Sequence, residues 1–218
     1  MDFQEVVRRR RMVRRYTADP VDPAAVHRMI ENATRAPNAG FTQGWDFLVL
    51  DSAEDVARFW SAATPPDRAG SPDRWLRGMR TAPVVIVPLA SEAAYRRRYA
   101  EPDKSGAARR SGGRAGGRAP AGAPVDGLPW SVPYWFVDTG MAVLLILQTA
   151  VDEGLGACLL GIPAQRVDEL RTAFGVPEGH EPVGAITVGH PHPDSTPGGS
   201  PSRRSRRPTA DVLHRGRW

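Results

Sequence analysis

The segment "MAVLLILQTAV" at residues 141–151 is the longest apolar stretch of this chain, and it constrains how the other elements can be arranged. Its side chains are apolar on nearly every side of a helix, which is typical of a central buried helix. The stretch is too short to span a bilayer, and Asp138 and Asp152 lie on its flanks. We therefore predict a core helix over about residues 136–152, and no membrane segment.

Short apolar runs and helical segments alternate along the rest of the chain. Four runs predict buried strands: "WDFLVLD" (45–51), "PVVIVPLA" (83–90), "ACLLGI" (157–162) and "PVGAITVGHP" (182–191). Helices are predicted after the N-cap residues Asp2, Asp22 and Ser52, and also in "PDRWLRGMR" (72–80) and "PAQRVDELRTAFG" (163–175). Strands separated by helices indicate an α/β or α+β fold.

The composition bounds the domain organisation. The chain has 218 residues, 41% of them hydrophobic, which is enough for one sizeable core, so we expect a single domain over residues 1–218. Residues 101–127 contain Gly, Ala, Arg and Pro without periodicity and predict a low-complexity insertion. Residues 194–218 predict a C-terminal arm, of which residues 208–218 are either a short strand or an extended arm.

Positive charge is concentrated near the N-terminus. The stretch "RRRRMVRRYT" (8–17) places six arginines in eight positions, and the whole chain has a formal net charge of +5. Nucleic acid, a membrane surface and a phosphate-bearing small molecule would all suit such a cluster. A phosphate of roughly two negative charges needs several charge-assisted hydrogen bonds, which the planar guanidinium group supplies well. The chain lacks a recognised nucleic-acid-reading module, so we do not expect a nucleic-acid partner.

The motifs of several reaction classes are missing from the sequence. Cys158 is the single cysteine, which excludes an intramolecular disulfide and a cysteine-based zinc site. The five histidines have no ligand spacing except in His190-x-His192, and we expect no metal site. There is no Walker motif, nucleophile elbow or HExxH motif, and no glycine fingerprint follows a strand. The N-terminus lacks the apolar run of a signal peptide, so we expect a cytoplasmic protein whose chemistry belongs to a bound cofactor.

Four blocks in order along the chain indicate which cofactor this is. They are "RRRRMVRRY" (8–16), "RAPNAGFTQGWDFLVL" (35–50), "GLGACLLGIP" (154–163) and "RRSRRPTADVLHRGRW" (203–218). Together they resemble the FMN-dependent nitroreductase family. The resemblance implies an α+β fold with a mostly antiparallel sheet flanked by helices, in an intertwined homodimer. It also implies FMN as cofactor, NAD(P)H as donor, and two-electron transfer by way of the flavin N5 to a small-molecule acceptor with ping-pong kinetics.

The resemblance also assigns roles to individual residues. Arg10 and Arg14 would clamp the FMN phosphate together with Arg204 and Arg206, whereas Arg8, Arg9 and Arg15 belong to a solvated face. The loop "PNAG" would contact the flavin ring, usually from the other subunit, and the backbone of "CLLGI" would lie by its N5 and O4 edge. The complete set of expected FMN-binding residues is Arg10, Arg11, Met12, Arg14, Pro37, Asn38, Ala39, Gly40, Gln43, Arg77, Leu159, Leu160, Gly161, Arg204 and Arg206.

Some positions depart from the family pattern and leave the acceptor undetermined. Met12 and Asn38 stand where relatives often have serine, Phe41 where they have asparagine, and Gly44 where they have proline. These changes put individual ring and ribityl contacts in doubt, but not the phosphate clamp. Four aromatic residues would either stack on a planar acceptor or pack against the core: Phe41, Trp130, Tyr134 and Trp135.

Two other classes of function remain open at this point. The first is a basic binding module that uses its arginine clusters to hold an acidic partner or nucleic acid. The second is a flavin-binding protein that stores or senses flavin without turnover. Flavin that co-purifies with the protein would separate the first class from an oxidoreductase, and turnover would separate the second.

Overall fold

The computed structural model describes residues 1–104, 128, 130–195 and 203–218. Eight helices are assigned in these ranges: α1 Phe3–Arg9, α2 Pro23–Ala33, α3 Ala53–Ala63, α4 Pro66–Ala69, α5 Arg74–Met79, α6 Glu92–Ala100, α7 Tyr134–Asp152 and α8 Val167–Phe174. Five strands are assigned: β1 Trp45–Leu50, β2 Val84–Ala90, β3 Gly156–Leu160, β4 Glu181–Pro182 and β5 Ala185–Gly189. Single 3-10 turns lie at Ala39–Phe41, Ala164–Arg166 and Thr209–Asp211.

The strands form one antiparallel sheet in the order β1-β2-β5-β3, with β4 paired to β2. The register of β1 on β2 runs from Trp45 opposite Ala90 to Leu50 opposite Val85. All seven residues of β2 are buried, as expected for a central strand with helices on both faces. The expectation of an α+β fold with a mostly antiparallel sheet is therefore confirmed.

Helix α7 is the core helix that the apolar stretch predicted. It packs against α2 and against strands β2 and β3, where Ile146 meets a cluster that includes Met29 and Ile186. The opposite face of the sheet is covered by α3 and α8, around Phe59 and Leu170. By length and composition α7 could cross a membrane, but half of its apolar window is buried inside the fold, which is typical of a core helix.

One side of α7 is not covered by its own chain. Val137 and Leu144, seven residues apart on the same face, are 43% and 46% exposed. Phe3 and Val7 of the neighbouring helix α1 are also exposed, at 67% and 44%. An apolar stripe of the predicted core helix therefore faces outward in the single chain.

The predicted helix starts are confirmed by their hydrogen bonds. The side chains of Asp2, Asp22 and Ser52 accept the backbone N–H groups of residues 5, 24 and 55 at 3.0, 2.9 and 3.0 Å. Each side chain thereby satisfies a donor that has no partner within the first turn of its helix. These local signals are readable because the cap and its partner are only two or three residues apart.

Three regions differ from the sequence-based expectations or lie outside them. Helix α6 was not predicted, because its sequence "EAAYRRRYA" lacks hydrophobic periodicity and buries only Tyr95. The predicted insertion at 101–127 lies outside the described residues except for 101–104. In the predicted arm, residues 203–218 are all exposed, and residues 208–218 contain a 3-10 turn rather than a strand.

Gly78 of α5 lies where the helix touches the N-terminal segment. A Cβ atom at this position would overlap the backbone carbonyl oxygen of Arg14, which cannot move aside as a side chain could. We expect Gly78→Ala to lower the free energy of unfolding by about 1–3 kcal/mol, because overpacking outweighs the better helix propensity of alanine. Urea unfolding measures this difference. Gly70→Ala is the control, since no atom lies within 4 Å of its added Cβ, and an equal effect in both variants would contradict the account.

Candidate functional site

The N-terminal arginine segment runs beside strand β3. The N–H of Val13 donates to the carbonyl oxygen of Ala157 at 3.0 Å, and Met12 forms a parallel bridge with the same residue. The end of α1 and the "GLGACLLGIP" block, which are far apart in sequence, are thus neighbours in space. Further along β3, Leu159 and Leu160 are half-buried, and Leu160 and Gly161 line a cavity of about 50 Å³ together with residues of α3 and α5.

The arginines of this segment fall into two groups by their partners. Arg9 pairs with Glu5 at 3.0 Å and Arg15 pairs with Asp194 at 3.3 Å, and both side chains are exposed. Arg10 and Arg14 are half-buried, and among the described residues neither guanidinium pairs with a carboxylate. Arg14 donates only to the backbone oxygen of Met12, at 3.3 Å. Two cations held near a strand without a counter-ion are suited to binding an external anion.

The other basic residues of the expected site are not assembled around this pair in the single chain. Arg204 and Arg206 are exposed on the arm, and residues 203–218 form hydrogen bonds only with one another in the part of the chain described. Arg11 is exposed and donates to the backbone oxygen of Ser195 at 2.6 Å. Arg77 is also exposed and donates to the backbone oxygen of Pro72, although its helix α5 touches the backbone of Arg14.

The loop that contains "PNAG" has an unusual backbone. Gly40 has φ of +66°, and the non-glycine residues Phe41 and Gln43 have φ of 54° and 52°. A left-handed conformation costs a non-glycine residue roughly 1–2 kcal/mol, so the surroundings must hold it in place. Part of this stabilisation is local, because the Asn38 side-chain oxygen accepts the N–H of Gln43 at 2.9 Å. Such outliers are concentrated at functional sites, which makes this loop a candidate.

Side chains of helices α6 and α7 form hydrogen bonds to the backbone of the loop. The Oδ2 atom of Asp138 accepts the N–H of Ala39 at 2.7 Å and the hydroxyl of Tyr95 at 2.6 Å. Arg98 donates from Nε to the carbonyl oxygen of Gly40 at 2.9 Å. Burial, and the hydrogen bond to the carboxylate, raise the pKa of Tyr95, so its hydroxyl stays protonated and donates. These hydrogen bonds could not be predicted from the sequence. The only local signal was Asp138 beside the apolar stretch at 141–151.

The aromatic residues expected to meet an acceptor are placed differently from one another. Trp135 is 5% exposed and packs in a cluster with Tyr95, so its ring belongs to the interior. Trp130 and Tyr134 are half-buried, and their ring centroids are 5.0 Å apart. Phe41 is 75% exposed, and its ring is the most open of the four. In this conformation Phe41 is the aromatic side chain best placed to contact a small molecule.

Two further features bear on the chemistry. Burial raises the pKa of the Cys158 thiol, which is 2% exposed, so it is not a reactive nucleophile. Within the ranges that the structure describes, no group of three His, Cys, Asp or Glu side chains could hold a metal ion. The Cys158 thiol is therefore not a candidate nucleophile, and the described residues near β3 and the loop offer charge and hydrogen bonds.

Comparison with known proteins gives consistent matches. The nitroreductase family model matches residues 7–115 and 131–190. A nitroreductase family protein from Clostridium difficile 630 is 18% identical over 100% of both chains, with a TM-score of 0.68. A protein from Exiguobacterium sibiricum 255-15, assigned as a nitroreductase and solved with FMN, is 20% identical over 98% of this chain and 97% of its own, with a TM-score of 0.69. NfrA2 of B. megaterium is 20% identical over 99% of this chain and 74% of its own, with a TM-score of 0.68.

Proposed function

The chain belongs to the nitroreductase family, and from this premise we propose that it is an FMN-dependent oxidoreductase. It takes two electrons from a reduced nicotinamide, NADH or NADPH, and passes them to a small planar organic acceptor. When bound, FMN supplies the redox chemistry, accepting and returning hydride at N5, so the protein needs no acid–base residue of its own. The cytoplasm, where reduced nicotinamides are abundant, is the proposed site of action.

The observation that carries this proposal is the pair Arg10 and Arg14. Both are half-buried and flank Met12 and Val13, which contact Ala157 of β3. In the described part of the chain neither pairs with a carboxylate, whereas Arg9 and Arg15 do. A phosphate monoester fits such a pair because it accepts several charge-assisted hydrogen bonds at once. The donor set therefore fits FMN, whose single terminal phosphate distinguishes it from uncharged riboflavin.

The remaining proposed contacts are mostly with the backbone. The amides around Leu160 and Gly161 would lie by the N5 and O4 edge of the ring and fix its position. The loop at 37–43 would approach the ring through its backbone. In the single chain Gly40 is packed against the Tyr99 ring, and both polar atoms of Asn38 form hydrogen bonds within the loop. Because Met12 has no hydroxyl, it would not offer the flavin the polar contact that a serine at this position could make. Arg77 and Arg11 would add positive charge around the pyrimidine ring and the phosphate.

We propose further that the active species is a homodimer with shared sites. The outward apolar stripe of Val137 and Leu144 on α7, next to Phe3 and Val7 on α1, would be covered by the second copy. The arm, residues 203–218, is exposed throughout and carries the apolar residues Val212, Leu213 and Trp218, which would bury surface on the partner. This arrangement would bring Arg204 and Arg206 to a phosphate that the single chain holds only with Arg10 and Arg14.

Identification of the bound flavin tests the proposal. Purified protein, or apoprotein incubated with excess FMN and passed through a desalting column, should be yellow and release one FMN per chain on denaturation. Chromatography of the released flavin distinguishes FMN from FAD and riboflavin. Protein that retains no flavin under either condition would contradict the proposal and favour the basic binding module. Flavin that stays bound but is never reduced by a nicotinamide would favour storage or sensing.

A further inference from the structure

An acidic side chain lies in the apolar interior and, within the described part of the chain, forms no ion pair. Asp138 on α7 is 1% exposed, and its carboxylate partners are the hydroxyl of Tyr95 and the N–H of Ala39. Moving a carboxylate from water into the interior costs several kcal/mol, and two neutral donors offset this only in part. A residue of this kind is more costly than the apolar side chain that would fill the same space. Its presence therefore points to a role besides stability.

What Asp138 holds is the start of the strained loop. Ala39 is the first residue of the 3-10 turn Ala39–Phe41, and the next residues, Gly40 and Phe41, both have positive φ. On the other side of the turn, Arg98 holds the carbonyl oxygen of Gly40 at 2.9 Å. The turn is thus fixed by an acceptor from α7 and a donor from α6. With both contacts made, the Phe41 ring stays 75% exposed instead of folding onto the core.

We propose that Asp138 is a positioning residue that holds the loop 38–43 in the conformation in which it faces the flavin and the acceptor. The proposal rests on the proposed function, because the flavin gives the loop something to face. Asp138 directly follows Val137, which belongs to the outward stripe of α7. Its hydrogen bond to Ala39 therefore connects the loop to the helix that the second copy would cover. The Phe41 ring, which is exposed in this loop conformation, would then contact the acceptor.

Three variants separate positioning from plain stability. Asp138→Leu removes the acceptor, whereas Asp138→Asn keeps a neutral acceptor of the same shape. Thr139→Val is the matched control, since Thr139 is the next residue of α7, is 0% exposed, and donates only to the backbone oxygen of Trp135 at 2.7 Å. It removes a buried hydroxyl without touching the loop.

Hydrogen exchange of the Ala39 amide in flavin-free protein is the first measurement. A hydrogen bond to a charged acceptor protects an amide by about ten- to a hundredfold, so Asp138→Leu should exchange faster by that factor. Asp138→Asn should exchange severalfold faster, because a neutral acceptor is weaker, and Thr139→Val should match the wild type. If Asp138→Leu does not fold, Asp138→Asn carries the test. Unchanged protection of Ala39 in Asp138→Asn would overturn the proposal.

Steady-state kinetics and the visible circular dichroism of FMN-loaded protein are the second measurement. Loss of the Ala39–Asp138 hydrogen bond in the Asp138 variants should raise KM for a quinone acceptor at least tenfold and change the circular dichroism of the flavin. FMN affinity should change less than threefold, because Arg10 and Arg14 are unchanged. Faster Ala39 exchange with an unchanged KM and an unchanged flavin signal would overturn the positioning role. If the wild type binds no flavin, the proposed function fails by itself, and the exchange data still report on the hydrogen bond between Ala39 and Asp138.

Discussion

Alanine at Arg10 or Arg14 is expected to weaken FMN binding by roughly ten- to a hundredfold for each residue, because a hydrogen bond to a charged group contributes about 1.5–3 kcal/mol. The double variant should lose roughly a hundred- to ten-thousandfold if the two effects add. Both residues are half-buried and lack a carboxylate partner among the described residues, so their charge is not already compensated within the chain. Titration of FMN into apoprotein, followed by quenching of flavin fluorescence, measures the affinity.

The controls for this prediction use a second ligand and two neighbouring arginines. Riboflavin lacks the phosphate, so its affinity should be the same in the wild type and in the Arg10 and Arg14 variants. Arg9→Ala and Arg15→Ala remove exposed side chains that pair with Glu5 and Asp194, and should change FMN affinity less than twofold. Equal losses for FMN and riboflavin would indicate a disturbed fold. Unchanged FMN affinity in both variants would refute the clamp.

Lysine at Leu144 is expected to dissociate the proposed homodimer and to release the flavin with it. Leu144 is 46% exposed at the centre of the outward stripe on α7, and burying an unpaired ammonium there costs several kcal/mol per ion. Since about 1.4 kcal/mol corresponds to a factor of ten, self-association should weaken by more than a hundredfold. A ligand bound between two chains stabilises the assembled form, so FMN should be lost in parallel and excess FMN should restore part of the dimer.

Light scattering during dilution, with and without FMN, follows both effects. Ala57→Lys is the matched control, because Ala57 is an exposed apolar residue on α3, on the opposite side of the sheet from α7. The control should remain dimeric and retain its flavin. A wild-type monomer that carries a full complement of FMN would contradict the shared site, and a Leu144→Lys variant that stays dimeric would place the interface elsewhere.

The sequence was informative wherever the determining contacts are local. The caps Asp2, Asp22 and Ser52 act on residues two or three positions away, and the strands are short apolar runs, so both could be predicted. Helix α6 could not, because it carries no amphipathic pattern and is held mainly through Tyr95. Which face of α7 points outward could not be predicted, because composition alone does not separate a face covered by the same chain from one that is not.

In the candidate site, too, local features could be predicted from the sequence and long-range contacts could not. The arginine segment and the β3 block were matched one by one through a family resemblance, and the structure adds that they are adjacent through Val13 and Ala157. The support of the loop by Asp138 spans 99 residues and joins side chain to backbone, which no local pattern encodes. The contacts of Arg204 and Arg206 could not be predicted from the sequence either. In the described chain the arm makes its hydrogen bonds within itself, so the structure of a single chain does not supply these contacts.

Anaerobic mixing of FMN-loaded protein with NADH or NADPH is the decisive test of the proposed oxidoreductase activity. We expect at least one donor to bleach the visible absorbance of the bound flavin, with one donor molecule consumed per flavin. A quinone or nitroaromatic compound added afterwards should restore the absorbance at a rate that does not depend on residual donor, as ping-pong kinetics require. Bound FMN that stays oxidised with both donors, or reduced FMN that no such acceptor reoxidises, would contradict the account.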